Sequence, residues 1–243
     1  MSVNYTTYVS QTANLIVVSS NDPNYQTMLP GMIDYAEQRI YRELNLIATQ
    51  VRDISASLSS DSRSLTLPSA FGNFVVVQDI NVVTPAGLFS STGGVRNKLA
   101  PASLDIVDFL YPTENSSDYA GPPSIPSIFA VLNSSTVVVG PPPDAAYSVE
   151  VIGTIRPSPL SSGNSSTFLT NNLPDLFMAA SMIYAAGYMR DFGMQADNPQ
   201  MGASWEAQYG KLFQSAAQEE IRKRYNRTFV GQYAPQQTSG GTV

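Results

Sequence analysis

The segment at residues 29–47, LPGMIDYAEQRIYRELNLI, carries a continuous helical pattern. Its apolar residues recur at steps of three and four, which places them on one face of an α-helix. They are Leu29, Met32, Ile33, Ala36, Ile40, Leu44 and Ile47. We expect Pro30 in the first turn, where a proline costs no hydrogen bond, and Arg39 with Glu43 on the solvated side. A shorter helix is expected within residues 4–18, with residues 21–24, NDPN, as the loop between the two helices.

Helical patterns return in the C-terminal third of the chain. Residues 176–189 are apolar on nearly every side, which predicts a helix buried all round, by its own domain or by a neighbouring subunit. A long amphipathic pattern follows and ends after Tyr225. Residues 231–243 are polar and rich in Gln, Ser and Gly, so we interpret them as a tail that is mobile or becomes ordered only on a partner.

Between about residues 51 and 159 the pattern changes to short strands. Twelve of the 17 prolines lie between Pro68 and Pro159, which excludes long helices there. Short apolar or alternating runs predict strands at residues 74–77, 82–83, 128–132, 136–139 and 147–155. The last run alternates and places Glu150 on a polar face, and residues 141–144, PPPD, predict a hairpin connection before it.

These blocks predict an α+β protein in which the N- and C-terminal helices form a bundle and a small antiparallel β-sandwich or barrel is inserted between them. The helical domain is expected at residues 1–50 and 170–225, and the β domain at residues 51–169. Residues 226–243 are expected to be an extended C-terminal docking tail.

The composition of the 243 residues excludes several classes of function. The chain has no His and no Cys, so it can form no Ser-His-Asp triad, cysteine nucleophile or thiolate zinc site. We expect no catalytic site, no cofactor and no metal centre. The net charge of −6 argues against nonspecific clamping of nucleic acid, which needs a basic surface. The most apolar stretch, residues 173–189, is shorter than the roughly 20 residues that a bilayer requires, so no membrane partner is expected.

Acidic side chains offer an alternative function. Residues 101–110 predict a short helix with Ser103 as its N-cap, and Asp105 and Asp108 lie three positions apart on it. A cell-wall or glycan hydrolase uses two carboxylates as acid and base or nucleophile, and Glu114 is the next candidate. We favour a solvated helix face, because acidic side chains mostly stay at the surface.

A basic cluster near the C-terminus is the main candidate for partner contact. Four of the 13 basic residues fall within six positions: Arg222, Lys223, Arg224 and Arg227. Aromatic residues that could anchor a docking segment accompany them: Tyr225, Phe229 and Tyr233. Contact with phosphate or an acidic partner and favourable placement of cations at a helix C-terminus explain the cluster about equally well. We interpret Glu219 and Glu220 as surface partners of the arginines.

Several stretches resemble, in the same order, the head-to-tail adaptor proteins of short-tailed bacteriophages. Residues 29–46 resemble the acidic AExRIxRxLxL helix of that family, and residues 64–71, SLTLPSAF, its LPxdF turn. Further matching segments are LAPASLD at residues 99–105, GPP at 121–123 followed by IFAV at 128–131, VVVGPPPDAAY at 137–147 and LPDLFMAA at 173–180.

The resemblance implies a structural virion protein of the tail or neck that is assembled in the host cytoplasm. Such adaptors form a ring, usually of twelve copies, below the portal, where they extend the DNA channel used in DNA ejection and carry the nozzle or tail hub and the fibres. Their C-terminal segment commonly reaches toward the portal. Double-stranded DNA is expected to pass without sequence-specific binding. The alternative function in this setting is a carboxylate-dependent hydrolase of the phage tail.

Overall fold

The computed structural model describes residues 3–113, 123–191 and 200–229. The described residues form six α-helices: α1 (Tyr5–Ile16), α2 (Pro23–Glu43), α3 (Leu104–Leu110), α4 (Phe168–Asn172), α5 (Pro174–Asp191) and α6 (Gln200–Phe229). They also form eight strands: β1 (Gln50–Leu58), β2 (Ser64–Thr66), β3 (Asn73–Thr84), β4 (Val95–Lys98), β5 (Ala100–Pro101), β6 (Ile128–Val131), β7 (Thr136–Gly140) and β8 (Tyr147–Arg156). The predicted mixed α+β class is confirmed.

The chain divides into two compact units. The first, here called the helical unit, comprises Met1–Ile47 and Pro159–Val243, and the second, the β unit, comprises Ala48–Ser158. The chain therefore leaves the helical unit once after α2 and returns to it once before α4.

The first helices begin at side-chain caps. Asn4 accepts a hydrogen bond from the backbone of Thr7 at the start of α1, and Asp22 accepts from two backbone N–H groups at the start of α2. The predicted loop at residues 21–24 is therefore correct for Asn21 and Asp22 only, because Asp22 is the N-cap of α2 and Pro23 and Asn24 lie in its first turn. Pro30 lies inside α2 and not in its first turn.

One core holds the helical unit together. The predicted stripe of α2 is buried from Leu29 to Ile40, and it packs with residues of α1, α4, α5 and α6 in a single cluster. Helix α5 is buried over most of its described turns, from Leu176 to Ala186, which explains why its sequence is apolar on nearly every side. Tyr8 reaches across this core and donates a hydrogen bond to Ser181 at 2.7 Å.

The β unit contains two four-stranded sheets. The strand orders are β1-β8-β3-β4 and β2-β7-β6-β5. Residues 141–144 connect β7 of one sheet to β8 of the other, so the prediction of a hairpin there was wrong. The two predicted runs at residues 74–77 and 82–83 belong to one strand, β3, whose pairing with β8 is irregular at two places. Strand β1 was not predicted.

One strand pair departs from the predicted antiparallel pattern. Strands β5 and β6 pair in parallel over two residues each, Ala100 with Ile128 and Pro101 with Phe129. A parallel pair needs a long connection, and the 26 residues between Pro101 and Ile128, which include α3, supply it.

Both sheets contribute side chains to one core cluster. Alternate residues such as Val149 and Val151 of β8 and Phe129, Val137 and Val139 of the other sheet lie in it. The opposite face of the second sheet is covered by α3, where Val107 packs with Ala130 of β6 and Val138 of β7. Helix α3 is thereby held on the outer face of the β2-β7-β6-β5 sheet.

Candidate interaction surfaces

The basic cluster lies in the last turns of α6, which continues to Phe229. Lys223 forms ion pairs with Glu219 at 2.7 Å and with Glu220 at 2.8 Å, so Lys223 is the direct partner of both carboxylates. These contacts raise the pKa of Lys223, and hydrogen bonding to Lys223 lowers the pKa of Glu219. Within the described part of the cluster, Lys223 is thus bound to carboxylates of its own helix.

The same turns of α6 hold the segment that leads out of the helical unit. Glu220 is buried, with 6% of its surface exposed, and accepts a hydrogen bond from the backbone N–H of Ile47 at 2.9 Å. Arg224 donates from Nη2 to the carbonyl oxygen of Asn45 at 2.6 Å. The prediction that Glu220 is a surface residue was wrong. Its carboxylate caps a backbone group that burial would otherwise leave without a partner.

Of the remaining predicted docking residues, the structure describes the side chain of Arg222 alone. Arg222 is exposed on α6. The side chains of Tyr225, Arg227 and Phe229, and the whole of Tyr233, lie outside the described residues. The assignment of this cluster to a partner stays a prediction.

A second network joins α2 to α6 in the helical unit. Arg39 pairs with Glu43 as predicted, with 3.1 Å between Nε and Oε1. It also binds Glu206 of α6 through both terminal nitrogens, which lowers the pKa of that carboxyl. The guanidinium lies 4.2 Å from the centre of the Tyr209 ring, and Tyr209 donates to Glu43 at 2.6 Å. Arg39 and Glu43, together with Tyr35 and Arg42, line a shallow depression, but Arg39 already donates hydrogen bonds to Glu43 and Tyr35.

A buried carboxyl group holds the point where the chain returns to the helical unit. Glu37 of α2 is 5% exposed and accepts a hydrogen bond at 3.0 Å from the backbone N–H of Leu160. Burial raises the pKa of Glu37 to about 7, although the hydrogen bond from Leu160 acts in the opposite direction. The sequence analysis did not identify this group, although Glu37 lies four residues after Ile33 and three before Ile40, on the apolar face of α2.

The candidate hydrolase carboxylates are not assembled as an acid–base pair. Asp108 is bound by Arg63 at 2.9 Å, and the Arg63 guanidinium also donates to the carbonyl oxygens of Tyr111 and Val139. Asp105 is exposed in the first turn of α3, and Glu114 lies outside the described residues. Ser103 stands at the N-cap as predicted, but its side chain makes no capping hydrogen bond.

Asp108 therefore has a structural partner in a side chain that is only 1% exposed, Arg63. In residues 3–113, 123–191 and 200–229, no three acidic side chains come together in an arrangement that could hold a metal ion. Among the helices within those ranges, none is both long enough and apolar enough to cross a membrane.

Two exposed apolar surfaces on the β unit were missed by the sequence analysis. The first, here called the α3 stripe, consists of Ile106, Phe109 and Leu110, which are at least half exposed. Their spacing of three and four residues places them on one side of α3, and Val107 points into the unit. The spacing is visible in the sequence, but the exposure of this side depends on which face of α3 packs on the sheet.

The second surface, here called the sheet patch, consists of Val76, Ile152 and Ile54. They lie on neighbouring strands β3, β8 and β1, on the face of that sheet that points away from the core. Val76 and Ile54 are exposed and Ile152 is partly buried. Arg52, which pairs with Ile152 across the strands, is exposed beside them.

Glu150 lies on the same outer face, as the alternation of the strand predicted, but it is buried there. Arg96 binds it at 2.7 Å, and Ser90, in the connection from β3 to β4, donates a second hydrogen bond. Burial alone would raise the pKa of Glu150, but the hydrogen bonds from Arg96 and Ser90 lower it overall. The connection from β3 to β4 thus folds over this carboxylate and is fixed by it.

The comparisons with known proteins agree with the resemblance found in the sequence. A model of one protein family, described as SU10 adaptor protein, matches residues 3–232. A comparison with curated proteins found no match. The matched range includes residues of both the helical unit and the β unit.

Proposed function

Since the chain belongs to the SU10 adaptor protein family, a family of bacteriophage adaptors, we propose that it forms a ring below the portal of a phage particle. In this proposal the ring, of twelve copies, extends the DNA channel and attaches the nozzle or tail hub and the fibres. The helices of each subunit pack as a bundle and its two sheets as a sandwich. The observation that carries the proposal is the family match over residues 3–232.

The chemistry of the described residues supports a structural role without catalysis. The most suggestive carboxylate, Asp108, is bound by a buried arginine, and the buried Glu37 and Glu220 hold backbone N–H groups of the chain itself. Polar groups used in this way stabilise a fold and are not free to transfer protons to a substrate. We propose that the protein resides in the tail or neck of the virion after assembly in the host cytoplasm.

The acidic character of the chain suits a channel for DNA. With a net charge of −6, the subunit offers few cations to displace the counterions of the phosphates. DNA would pass with weak, sequence-independent contacts.

We propose that the portal contact is made by the end of α6 and the residues after it. Because Lys223 and Arg224 bind groups of the helical unit, the charge available to a partner comes from Arg222 and Arg227, with Tyr225, Phe229 and Tyr233 as apolar anchors. Removing residues 226–243 deletes Arg227, Phe229 and Tyr233 and is expected to abolish portal binding, while circular dichroism should lose no more than the signal of the last turn of α6. A truncated protein that binds the portal as well as the full chain does would refute this mechanism of docking.

The function itself is tested in the phage by a stop codon in the gene. The expected product is DNA-filled or leaking heads without tails, to which the purified protein restores tail attachment. Tailed, infectious particles formed without the protein would contradict the proposal. A matched control is the Asp105→Asn and Asp108→Asn phage, because a hydrolase would lose its activity whereas an adaptor should still assemble tails.

A further inference from the structure

The α3 stripe exposes apolar surface that is not used to pack α3 on the β unit. Phe109 is 85% exposed, which leaves on the order of 170 Å² of aromatic side chain in water if such a residue buries about 200 Å². Ile106 and Leu110 extend this surface on the same side of the helix. Val107, together with the partly buried Leu104, already packs α3 against the sheet, so the three exposed side chains are available for another surface.

The sheet patch offers an apolar surface on the other side of the same unit. The inner faces of the two sheets share one core, and α3 covers the outer face of one sheet whereas the patch lies on the outer face of the other. The register places Val76 beside Thr154, Ile152 beside Arg52, and Ile54 further along β1, so the patch runs diagonally across three strands. The stripe and the patch of one chain therefore cannot meet each other.

The charges around the two surfaces are complementary. Asp105 is exposed next to the α3 stripe and carries its uncompensated negative charge, because Asp108 on the same short helix is bound by Arg63. Arg52 is exposed within the sheet patch. Asp79, which also pairs with Ile152, is bound by Lys98 at 2.6 Å, so the uncompensated charge beside the patch is that of Arg52. An acidic apolar helix on one side and a basic apolar sheet face on the other match a contact between unlike surfaces.

We propose that the α3 stripe of one copy of this chain docks on the sheet patch of the next copy. The inference rests on the proposed ring, and it names the surfaces that close that ring through the β unit. A contact between two different surfaces on opposite sides of a subunit is the head-to-tail type, which repeats from copy to copy and forms a ring when the rotation between copies closes. A stable interface buries about 800 Å² per partner, so the stripe forms its apolar centre and other residues complete it.

The absence of cysteine makes a direct test possible. A Phe109→Cys, Val76→Cys chain carries thiols only at the two surfaces, since the natural chain has none. The thiols of one chain are separated by two sheets and a helix, roughly 20 Å, so a bismaleimide linker of about 8 Å joins only different chains. The protein is treated alone over a range of concentrations and after mixing with purified portal rings of the same phage.

The expected result is a ladder of cross-linked dimers, trimers and higher species from the double variant. Neither single-cysteine variant should give more than traces of dimer, because a head-to-tail contact does not bring identical residues together. The matched control is Val17→Cys, at a position of the helical unit that is 86% exposed, against 85% for Phe109. Paired with Val76→Cys it should give no ladder.

A second pair of variants tests the surfaces without cross-linking. Phe109→Glu and Val76→Glu each remove one surface and should each abolish rings, whereas a mixture of the two should form dimers that do not extend. Both positions are exposed, so the fold should be unaffected, as circular dichroism would show.

The outcomes separate this inference from the proposed function. Rings on the portal without a 109–76 ladder would overturn the inference and leave the adaptor function standing. Rings that stay intact in the Phe109→Glu variant but lose a tail protein would assign the stripe to that protein and also overturn the inference. Neither rings nor a ladder, alone or with the portal, would contradict both proposals.

Discussion

Arg63 is expected to be a principal stabilising residue of the β unit, and Arg63→Met tests this. The side chain is 1% exposed and donates to the carbonyl oxygens of Tyr111, Thr113 and Val139 and to the carboxylate of Asp108. It thereby ties the end of α3 and the residues after it to β7. Met preserves much of the buried stem but removes every donor.

The magnitude follows from what each partner loses. A hydrogen bond from a charged donor contributes about 1.5–3 kcal/mol, and a buried acceptor that loses its donor carries most of this cost. Asp108 is 54% exposed, so water replaces its partner and that ion pair contributes about 1 kcal/mol or less. We therefore expect Arg63→Met to destabilise the β unit by about 3 kcal/mol and Asp108→Asn by about 1 kcal/mol or less.

Hydrogen exchange measured on peptides from α3 and β7 is the appropriate assay, because it reports on the β unit alone. A loss of about 3 kcal/mol should accelerate exchange of the most protected amides about a hundredfold. The control is Arg52→Met, an exposed arginine of the same unit, which should change stability by less than about 0.5 kcal/mol. Equal protection in Arg63→Met and the natural protein, or an equal effect of Asp108→Asn, would refute the reasoning.

Three further predictions concern other buried polar groups. Arg39→Met should destabilise the helical unit by about 1–2 kcal/mol, because the contacts with Glu206 and Tyr209 are lost. The control, Arg42→Met on the exposed side of α2, should have little effect. Urea unfolding followed by the fluorescence of the single tryptophan, Trp205, compares the two variants. The folded-state pKa of Glu37, about 7, lies above its ordinary value, so its contribution to stability is complete below about pH 4.5 and is lost as the pH rises to 7. Glu37→Gln should therefore be more stable than the natural chain at pH 8 but not at pH 4, and an unchanged difference between the two pH values in urea unfolding would contradict this. Glu150→Gln should loosen the connection from β3 to β4, because Arg96 loses its buried partner, and faster hydrogen exchange confined to residues 85–98 would show it.

Helical periodicity predicted the buried face of α2 because the apolar residues of this helix are the ones that pack in the core. The start of α2 was misplaced because Asp22 and Pro23 are equally typical of turns and of helix starts. Pro30 is tolerated inside the helix at the loss of one backbone hydrogen bond, since its neighbours Leu29 and Met32 are fully buried. The packing of α2 thus outweighed the preference of proline for the first turn of a helix.

The strands of the β unit were predictable where apolar residues alternate, but their partners were not. Residues 141–144 have the composition of a turn, and only the distribution of β7 and β8 over two sheets shows that they form a connection between sheets. Strand β1 escaped prediction because its buried positions include Asp53, which accepts hydrogen bonds from Ser55. Glu150 points outward as alternation requires, yet the loop that buries it comes from a distant part of the chain.

The candidate surfaces show the same limit. The acidic and basic clusters were visible in the sequence, but the structure shows that Asp108, Lys223 and Arg224 bind groups of their own unit. The spacing of the α3 stripe was also visible, but its exposure depends on which face of the helix packs on the sheet. Charge and spacing identify candidates, and only the packing decides whether they face a partner.

The central claim, that the chain is a portal-bound adaptor, is tested most directly by mixing the purified full-length protein with portal rings of its own phage. Light scattering gives the mass of the complex, and electron microscopy gives its shape. The account predicts a second ring of this protein, coaxial with the portal channel, whether the free protein is a monomer or already a ring. A protein that stays unbound at concentrations well above those in assembling particles would contradict the account.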